Sequence, residues 1–153
     1  MYNYKDMQVW QVSMQLCVDI HKRTQEFPQF EQYELAAHLR KTALSIASNI
    51  SEGAGRKSTM DFIRFLNIAN GSLSEFETQL EAAFMLGYLP EFNEYLKRIA
   101  HLSSLISDLV RSLNQKIRSM DKNETLNSYA KNCPILYYVQ PGFHPFTLSP
   151  IHL

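Results

Sequence analysis

The sequence contains little proline, little glycine and almost no cysteine, and each shortage excludes a class of structure. Six prolines and five glycines serve 153 residues, and four of the prolines fall within the last twenty. The two cysteines are too few for a disulfide framework and are typical of reduced cytosolic residues. The N-terminal segment has no apolar signal-peptide core, and no apolar run is long enough for a membrane span. We therefore expect a cytoplasmic protein that does not enter a membrane.

The chain also lacks a net charge. Its 15 basic side chains balance its 15 acidic ones, and 45% of its residues are hydrophobic. These values are ordinary for a globular protein. They exclude a strongly basic nucleic-acid coat and an acidic disordered tail as descriptions of the whole chain. A chain of this length buries roughly 70% of its unfolded surface, so it needs neither a metal nor a disulfide in order to fold.

Apolar residues recur at alternating steps of three and four, which is the period of a helix seam. With so few prolines, this spacing predicts long helices. The predicted helices cover residues 5–26, 32–53, 59–87 and 90–118. Short connections make neighbouring helices antiparallel, so the fold predicted for residues 1–118 is all-α, an antiparallel up-down-up-down four-helix bundle. We predict a non-helical, irregular C-terminal extension over residues 119–153, which is rich in aromatic residues.

Glycine, serine and proline mark the predicted helix ends. We expect Gly53 and Gly55 to end the second helix through a left-handed backbone conformation. Ser58 is expected to cap the third helix, with Asp61 reaching back as in a capping box. Pro90 suits the first position of the fourth helix.

The sequence has no recognisable catalytic or metal-binding pattern. A di-metal helical bundle needs Glu-x-x-His motifs, and none is present. The segment from Gly53 to Ser58 resembles a phosphate loop only in part, because Arg56 separates the glycine from Lys57. Neither cysteine lies beside a cation, and no serine stands in a strand–turn–helix context. We predict no catalytic residue, no metal ligand and no cofactor.

Charge is unevenly distributed along the chain. Residues 40–64 carry five basic and two acidic side chains, a net charge of +3, whereas residues 65–96 carry five glutamates and no base, a net charge of −5. Arg56 and Lys57 precede the third helix, whose amide dipole adds positive potential. This pattern predicts a phosphate-binding, nucleic-acid-binding end; solvated surface charge is the alternative. The candidate residues are Arg40, Lys41, Arg56, Lys57 and Arg64.

Polar and surplus apolar residues also occupy helical faces. The polar positions at helical spacing are Ser45, Asn49, Glu52, Ser72 and Glu75. They predict a hydrogen-bonded network, either at a subunit seam or inside one bundle, where it would set the helix register. The apolar residues beside the main seams are Trp10, Met14, Cys17, Val18, Phe65, Ile68 and Phe84. Two apolar stripes per helix exceed what one thin bundle hides, so we expect a homo-oligomer.

Several motifs resemble those of the bacterial four helix bundle protein family. They include Asn49-Ile50-Ser51-Glu52-Gly53, Leu39-Arg40-Lys41, Arg56-Lys57-Ser58 and Ala69-Asn70-Gly71-Ser72. That family includes proteins encoded by intervening sequences of large-subunit ribosomal RNA genes and the accessory variability protein of diversity-generating retroelements. The resemblance covers about residues 4–118. It implies an antiparallel bundle, assembly into rings of five and, for the retroelement members, binding of nucleic acid and of a reverse transcriptase.

Taken together, these patterns predict a non-enzymatic, oligomeric scaffold. The expected partners are further copies of the chain, with a pentamer favoured, and RNA, DNA or a reverse transcriptase bound weakly at the basic end. The alternative is a protein-protein interaction module that uses the acidic third helix and the aromatic tail, without nucleic acid. Salt dependence distinguishes the two, because phosphate binding weakens steeply as salt rises and apolar docking does not.

Overall fold

The computed structural model describes residues 3–132, and the side chains of residues 3–120. Four α-helices account for most of this range: α1 (Gln8–Arg23), α2 (Leu35–Ala54), α3 (Thr59–Met85) and α4 (Asn93–Asn132). Short 3₁₀ segments cover Tyr4–Asp6, Thr24–Glu26 and Gln29–Tyr33. The prediction of an all-α four-helix bundle is confirmed. Within residues 3–132 no helix has both the length and the apolar content needed to cross a bilayer.

The predicted seams form the core of the bundle. Along α3 the residues at these alternating steps are Phe62, Leu66, Ala69, Leu73, Phe76, Leu80, Ala83 and Gly87, and all but the exposed Gly87 are buried. On α4 the buried ones are Ile99, Leu102, Ile106 and Leu113. Fully burying a leucine, isoleucine or phenylalanine side chain contributes roughly 1.5–3 kcal/mol, so each such residue in these rows stabilises the bundle.

Contacts between the helices confirm that neighbours are antiparallel. Along α2 and α3, Ser45 pairs with Ser72 at 3.1 Å, and Thr42 donates to Glu75 at 3.4 Å, so rising numbers on one helix meet falling numbers on the other. An ion pair of 2.7 Å between Asp19 of α1 and Arg98 of α4 links the first and last helices.

The end of α2 differs from the sequence prediction, because neither of its glycines is left-handed. Gly55 follows the helix with a φ of −77°, an ordinary right-handed value. Gly53 is a buried residue within the helix, and a Cβ placed there would lie 2.7 Å from the Cβ of Phe65 and 2.8 Å from the ring of Phe62. Glycine is therefore needed at position 53 because α2 and α3 approach closely, and not because the helix ends there.

The left-handed glycine is at the end of α3 instead. Gly87 has a φ of +79°, and its amide donates to the carbonyl of Phe84 at 2.9 Å. The amide of Tyr88 donates to the carbonyl of Ala83, also at 2.9 Å. These two bonds define a Schellman motif, which satisfies carbonyls that a helix end would otherwise leave unpaired.

Both ends of α4 differ from the prediction. The helix begins at Asn93, so Pro90 lies in the connection and not at the first helical position. The prediction that everything after residue 118 is non-helical is wrong for residues 119–132, since α4 continues to Asn132. This polar segment contains no glycine and no proline until Pro134, so nothing in it stops a helix already under way. The predicted irregular arm from residue 133 onward lies outside the described residues.

The compact unit that contains the bundle ends at Lys116. From Ile117 onward α4 belongs to a second unit, of which we describe only the helix. The site described next lies entirely in the first unit.

The predicted second apolar stripe is only partly exposed. Val18, Ile68 and Phe84 are exposed, whereas Trp10, Met14 and Cys17 are half-buried. Phe65 does not belong to an exposed stripe, because it is 7% exposed and packs inside the bundle.

Candidate functional site

The connection between α2 and α3 is a tight basic turn. The amide of Gly55 donates to the carbonyls of Ser51 and Glu52, both at 3.1 Å, which closes α2. Ser58 then caps α3, because its Oγ accepts from the amide of Asp61 at 3.3 Å. Only four residues lie between the helices, so Arg56 and Lys57 project from a short, well-defined backbone at the start of α3.

Two of the predicted basic residues place their guanidinium groups over the ring of Phe65. The guanidinium of Arg56 lies 4.9 Å from the ring centroid of Phe65, and that of Arg64 lies at the same distance. Arg56 also pairs with Glu52, and Arg64 approaches Asp61 at 3.8 Å. Each cation–π contact is worth about 0.5–1 kcal/mol at an exposed site. The aromatic ring and the two carboxylates hold both arginines at the surface of the turn, although the carboxylates offset part of their charge.

An open cleft of about 360 Å³ lies against this turn. It is lined by Gly55, Arg56, Lys57, Ser58, Thr59, Phe62 and Lys116. Lys57 is exposed and makes no ion pair with any residue from 3 to 120. Ser58 and Thr59, at the start of α3, line the same cleft, and the first turn of a helix leaves amides without a partner inside the helix. A lysine ammonium beside a helix N-terminus is an arrangement that can hold a phosphate group.

The structure does not bring Arg40 and Lys41 to this turn. Arg40 is half-buried; its Nε donates to the Oγ1 of Thr24 and its Nη2 to the Oε1 of Gln32, each at 2.7 Å. At a rise of 1.5 Å per residue, Arg40 lies about 24 Å along α2 from Arg56. Arg40 therefore ties the segment between α1 and α2 to α2, and Lys41 is an exposed lysine far from the cleft. The basic set predicted from the sequence divides into two groups.

The predicted polar positions also divide into two groups. Asn49 donates to the carbonyl of Ser45 at 2.8 Å and to its Oγ at 3.2 Å, and Ser45 in turn meets Ser72 of α3. Glu75 accepts hydrogen bonds from Thr42 of α2 and from Gln79 of α3. Glu52 is not part of this chain of bonds, because it pairs with Arg56. Four of the five positions thus belong to hydrogen bonds within and between α2 and α3 of one chain, while Glu52 belongs to the basic turn.

Sequence reasoning missed Lys116. This residue is 59 positions from Lys57 in the sequence, yet both line the same cleft, because α4 returns antiparallel to α3. The signal was present in the helix lengths: α3 is 27 residues long, and the same length along α4 from Asn93 ends at residue 119, within one helical turn of Lys116. Lys116 adds positive charge to the cleft, although it has an interaction of its own.

The described residues include no cluster of three or more His, Cys, Asp or Glu side chains that could hold a metal ion. Cys17 is half-buried, and burial raises the pKa of its thiol, which disfavours the reactive thiolate. Cys133 lies outside the described residues.

Comparisons with known proteins place the fold of the chain. A family profile described as 23S rRNA-intervening sequence protein matches residues 5–108. A solved structure from Bacteroides thetaiotaomicron VPI-5482, a protein of unknown function from the S23 ribosomal protein family, aligns with a TM-score of 0.62 and 22% identity. The alignment covers 67% of this chain and 95% of that one. At this level of identity the likeness shows the fold alone. No curated protein matches the sequence.

Proposed function

The chain belongs to the 23S rRNA-intervening sequence protein family, a bacterial helical family, and from that premise we propose that it is a non-enzymatic, self-associating scaffold that binds nucleic-acid phosphates at the α2–α3 turn. The observation that carries the proposal is the open cleft in which Lys57 stands beside the first turn of α3. A phosphate in this cleft would meet a lysine ammonium and backbone amides at once.

The charges around the cleft indicate what kind of binding to expect. Arg56 and Arg64 are each offset by a carboxylate, so Lys57 is the basic residue of the turn whose charge is least compensated. Contacts of this type recognise the backbone and carry no sequence information. We therefore expect weak, salt-sensitive binding of RNA or DNA with little preference for sequence.

Fluorescence anisotropy with a labelled 20-nucleotide polyuridine at low salt tests this function. Lys57→Ala should weaken binding at least fivefold, because it removes the least compensated charge in the cleft. It should also reduce the slope of log affinity against log salt by about 0.7, the value for one lost contact to a single strand. Lys41→Ala is the matched control: it removes the same charge about 24 Å away along α2 and should bind within twofold of the unaltered chain.

Two results would reject phosphate binding at the turn. One is the absence of binding by the unaltered chain at low salt. The other is an equal loss of affinity in Lys57→Ala and Lys41→Ala, which would indicate a diffuse effect of charge and not a site.

Self-association is supported by apolar side chains that the bundle leaves in solvent. Leu44 of α2 and Ile68 of α3 are 51% and 43% exposed. Association of copies would remove such apolar surface from water. We expect a ring of five, as the family resemblance implies, so light scattering should give five times the mass of the chain. Ile68→Asp should lower that mass, and a monomer for the unaltered chain at micromolar concentration would refute self-association.

A further inference from the structure

The last residues of α3 and the first residue of its connection to α4 expose large apolar side chains to solvent. Three consecutive residues, Phe84, Met85 and Leu86, are 43%, 79% and 56% exposed. The ring of Phe84 stacks on that of Phe92, with centroids 5.6 Å apart and planes 19° from parallel. The exposed surface of Phe84, Met85 and Leu86 lies outside the bundle core. Exposed apolar side chains grouped in one patch are typical of an interaction site.

The stacked rings form one wall of an open cleft of about 400 Å³. Pro90, Glu91, Glu94 and Lys97 line the same cleft, so its lining carries two carboxylates and one ammonium group. An aromatic wall facing carboxylates offers two kinds of contact at once, one for apolar groups and one for cations.

The charge around the cleft is negative. Glu91 is exposed and makes no ion pair with any residue from 3 to 120, and Glu94 is paired only with the exposed Lys97, at 3.7 Å. Glu81 lies one helical turn before Met85 on the same face of α3 and is also exposed. The last turn of α3 contains no basic residue, so the negative end of its dipole adds to these carboxylates. Nucleic acid and anionic lipid would be repelled here, while a cation would be attracted.

We propose that this α3–α4 cleft docks a cationic amphipathic segment of a partner protein. An arginine or lysine of the segment pairs with Glu91 and Glu94, and its apolar neighbours cover Phe84 and Met85. The sequence left a protein-binding role for the acidic third helix as the alternative function. The cleft gives that role a location at the end of α3, and its carboxylates specify a cationic partner. Two copies of the chain meeting through this same surface would bring like carboxylates together, which favours a different chain as the occupant.

This cleft is independent of the basic turn. The two lie at opposite ends of α3, whose 27 residues span about 40 Å at 1.5 Å per residue. One can therefore be occupied or disabled without the other, and failure of phosphate binding at Lys57 would leave the present proposal standing.

The test uses the full chain and a fluorescein-labelled 12-residue amidated peptide with four arginines and four leucines at helical spacing. Anisotropy is measured at 0.15 M salt beside two control peptides, one with glutamate for arginine and one with serine for leucine. Both control peptides should bind at least tenfold more weakly, because the site needs charge and apolar contact together. Glu91→Lys should weaken the arginine–leucine peptide at least tenfold, whereas Asp108→Lys, the same charge reversal in an exposed part of α4, should stay within twofold.

Apolar contact is tested with Phe84→Ala and Met85→Ala, each expected to weaken binding at least threefold. Met85 is the second choice if loss of the Phe92 stack disturbs folding, because its side chain is almost fully exposed. Three results would overturn the proposal: no binding by the unaltered chain, equal binding of the serine-substituted peptide, or equal weakening by Glu91→Lys and Asp108→Lys. A fourth is the conversion of an oligomer into monomers by Met85→Ala, which would assign the surface to a second copy.

Discussion

Replacing Gly53 with alanine tests how closely α2 and α3 approach. The added Cβ would lie 2.7 Å from the Cβ of Phe65 and 2.8 Å from a ring carbon of Phe62. The first of these atoms is attached directly to the backbone of α3, so it cannot rotate away as the end of a long side chain can. The two helices would have to move apart, and this would loosen the rows of side chains packed between them.

The magnitude follows from two opposing terms. In an open helix, glycine to alanine contributes about 1 kcal/mol of stability through backbone entropy. Forcing an extra carbon into a packed contact costs about 1–3 kcal/mol. We expect Gly53→Ala to lower the free energy of unfolding by about 1 kcal/mol net. Gly71→Ala is the matched control: no atom lies within 4 Å of its Cβ position, so it should raise stability by about 1 kcal/mol.

Thermal and urea unfolding followed by helical circular dichroism would measure both variants. The protein concentration must be held fixed, since self-association shifts the apparent midpoint. A difference of about 2 kcal/mol between the two substitutions corresponds to roughly 4–8 °C in a domain of this size. Equal stability of Gly53→Ala and Gly71→Ala would refute the close approach of α2 and α3.

Three further substitutions test other parts of the fold. Arg40→Met removes the hydrogen bonds to Thr24 and Gln32 and should lower the free energy of unfolding by about 1–3 kcal/mol. The affinity for polyuridine should stay unchanged. A loss of affinity would show that Arg40 belongs to the binding site. Gly87→Ala places a side chain at a φ of +79° and should cost about 1 kcal/mol in urea unfolding; a gain in stability would contradict the left-handed cap. Partial burial, the hydrogen bond to Glu31 and the charge of that carboxylate raise the pKa of Tyr88. The stability that Tyr88 contributes is therefore present below about pH 10 and falls as the pH rises above it. A pH series of midpoints should show a shallower decline in Tyr88→Phe, and identical slopes would reject this assignment.

Helix identity was predictable from the sequence because it depends on local periodicity. Steps of three and four place residues such as Leu66 and Phe76 on one face of α3, and both are fully buried. The end of α4 was not predictable by the same reasoning. The polar residues after position 118 carry no apolar seam and predict an irregular extension. Without glycine or proline, however, a helix already formed adds one hydrogen bond per residue and continues to Asn132.

The role of each glycine depended on more than its neighbours in sequence. Gly53 and Gly87 are the last residues of the predicted second and third helices. Gly87 has the left-handed conformation, whereas Gly53 is helical and is required because another helix lies against it. The two cases are distinguished by the backbone conformation of Gly87 and by the close approach of α2 and α3 at Gly53.

The sequence by itself determined the number of helices, the face that each buries and the turn where basic residues concentrate, because these follow from residue spacing within single helices. Spacing along α2 already separates Arg40 from the turn by about 24 Å. The tertiary structure alone decided which charges of different helices share a surface, since Lys116 reaches the cleft from α4. Proximity of side chains is set by where each helix returns along its neighbour, and spacing within one helix does not contain that information.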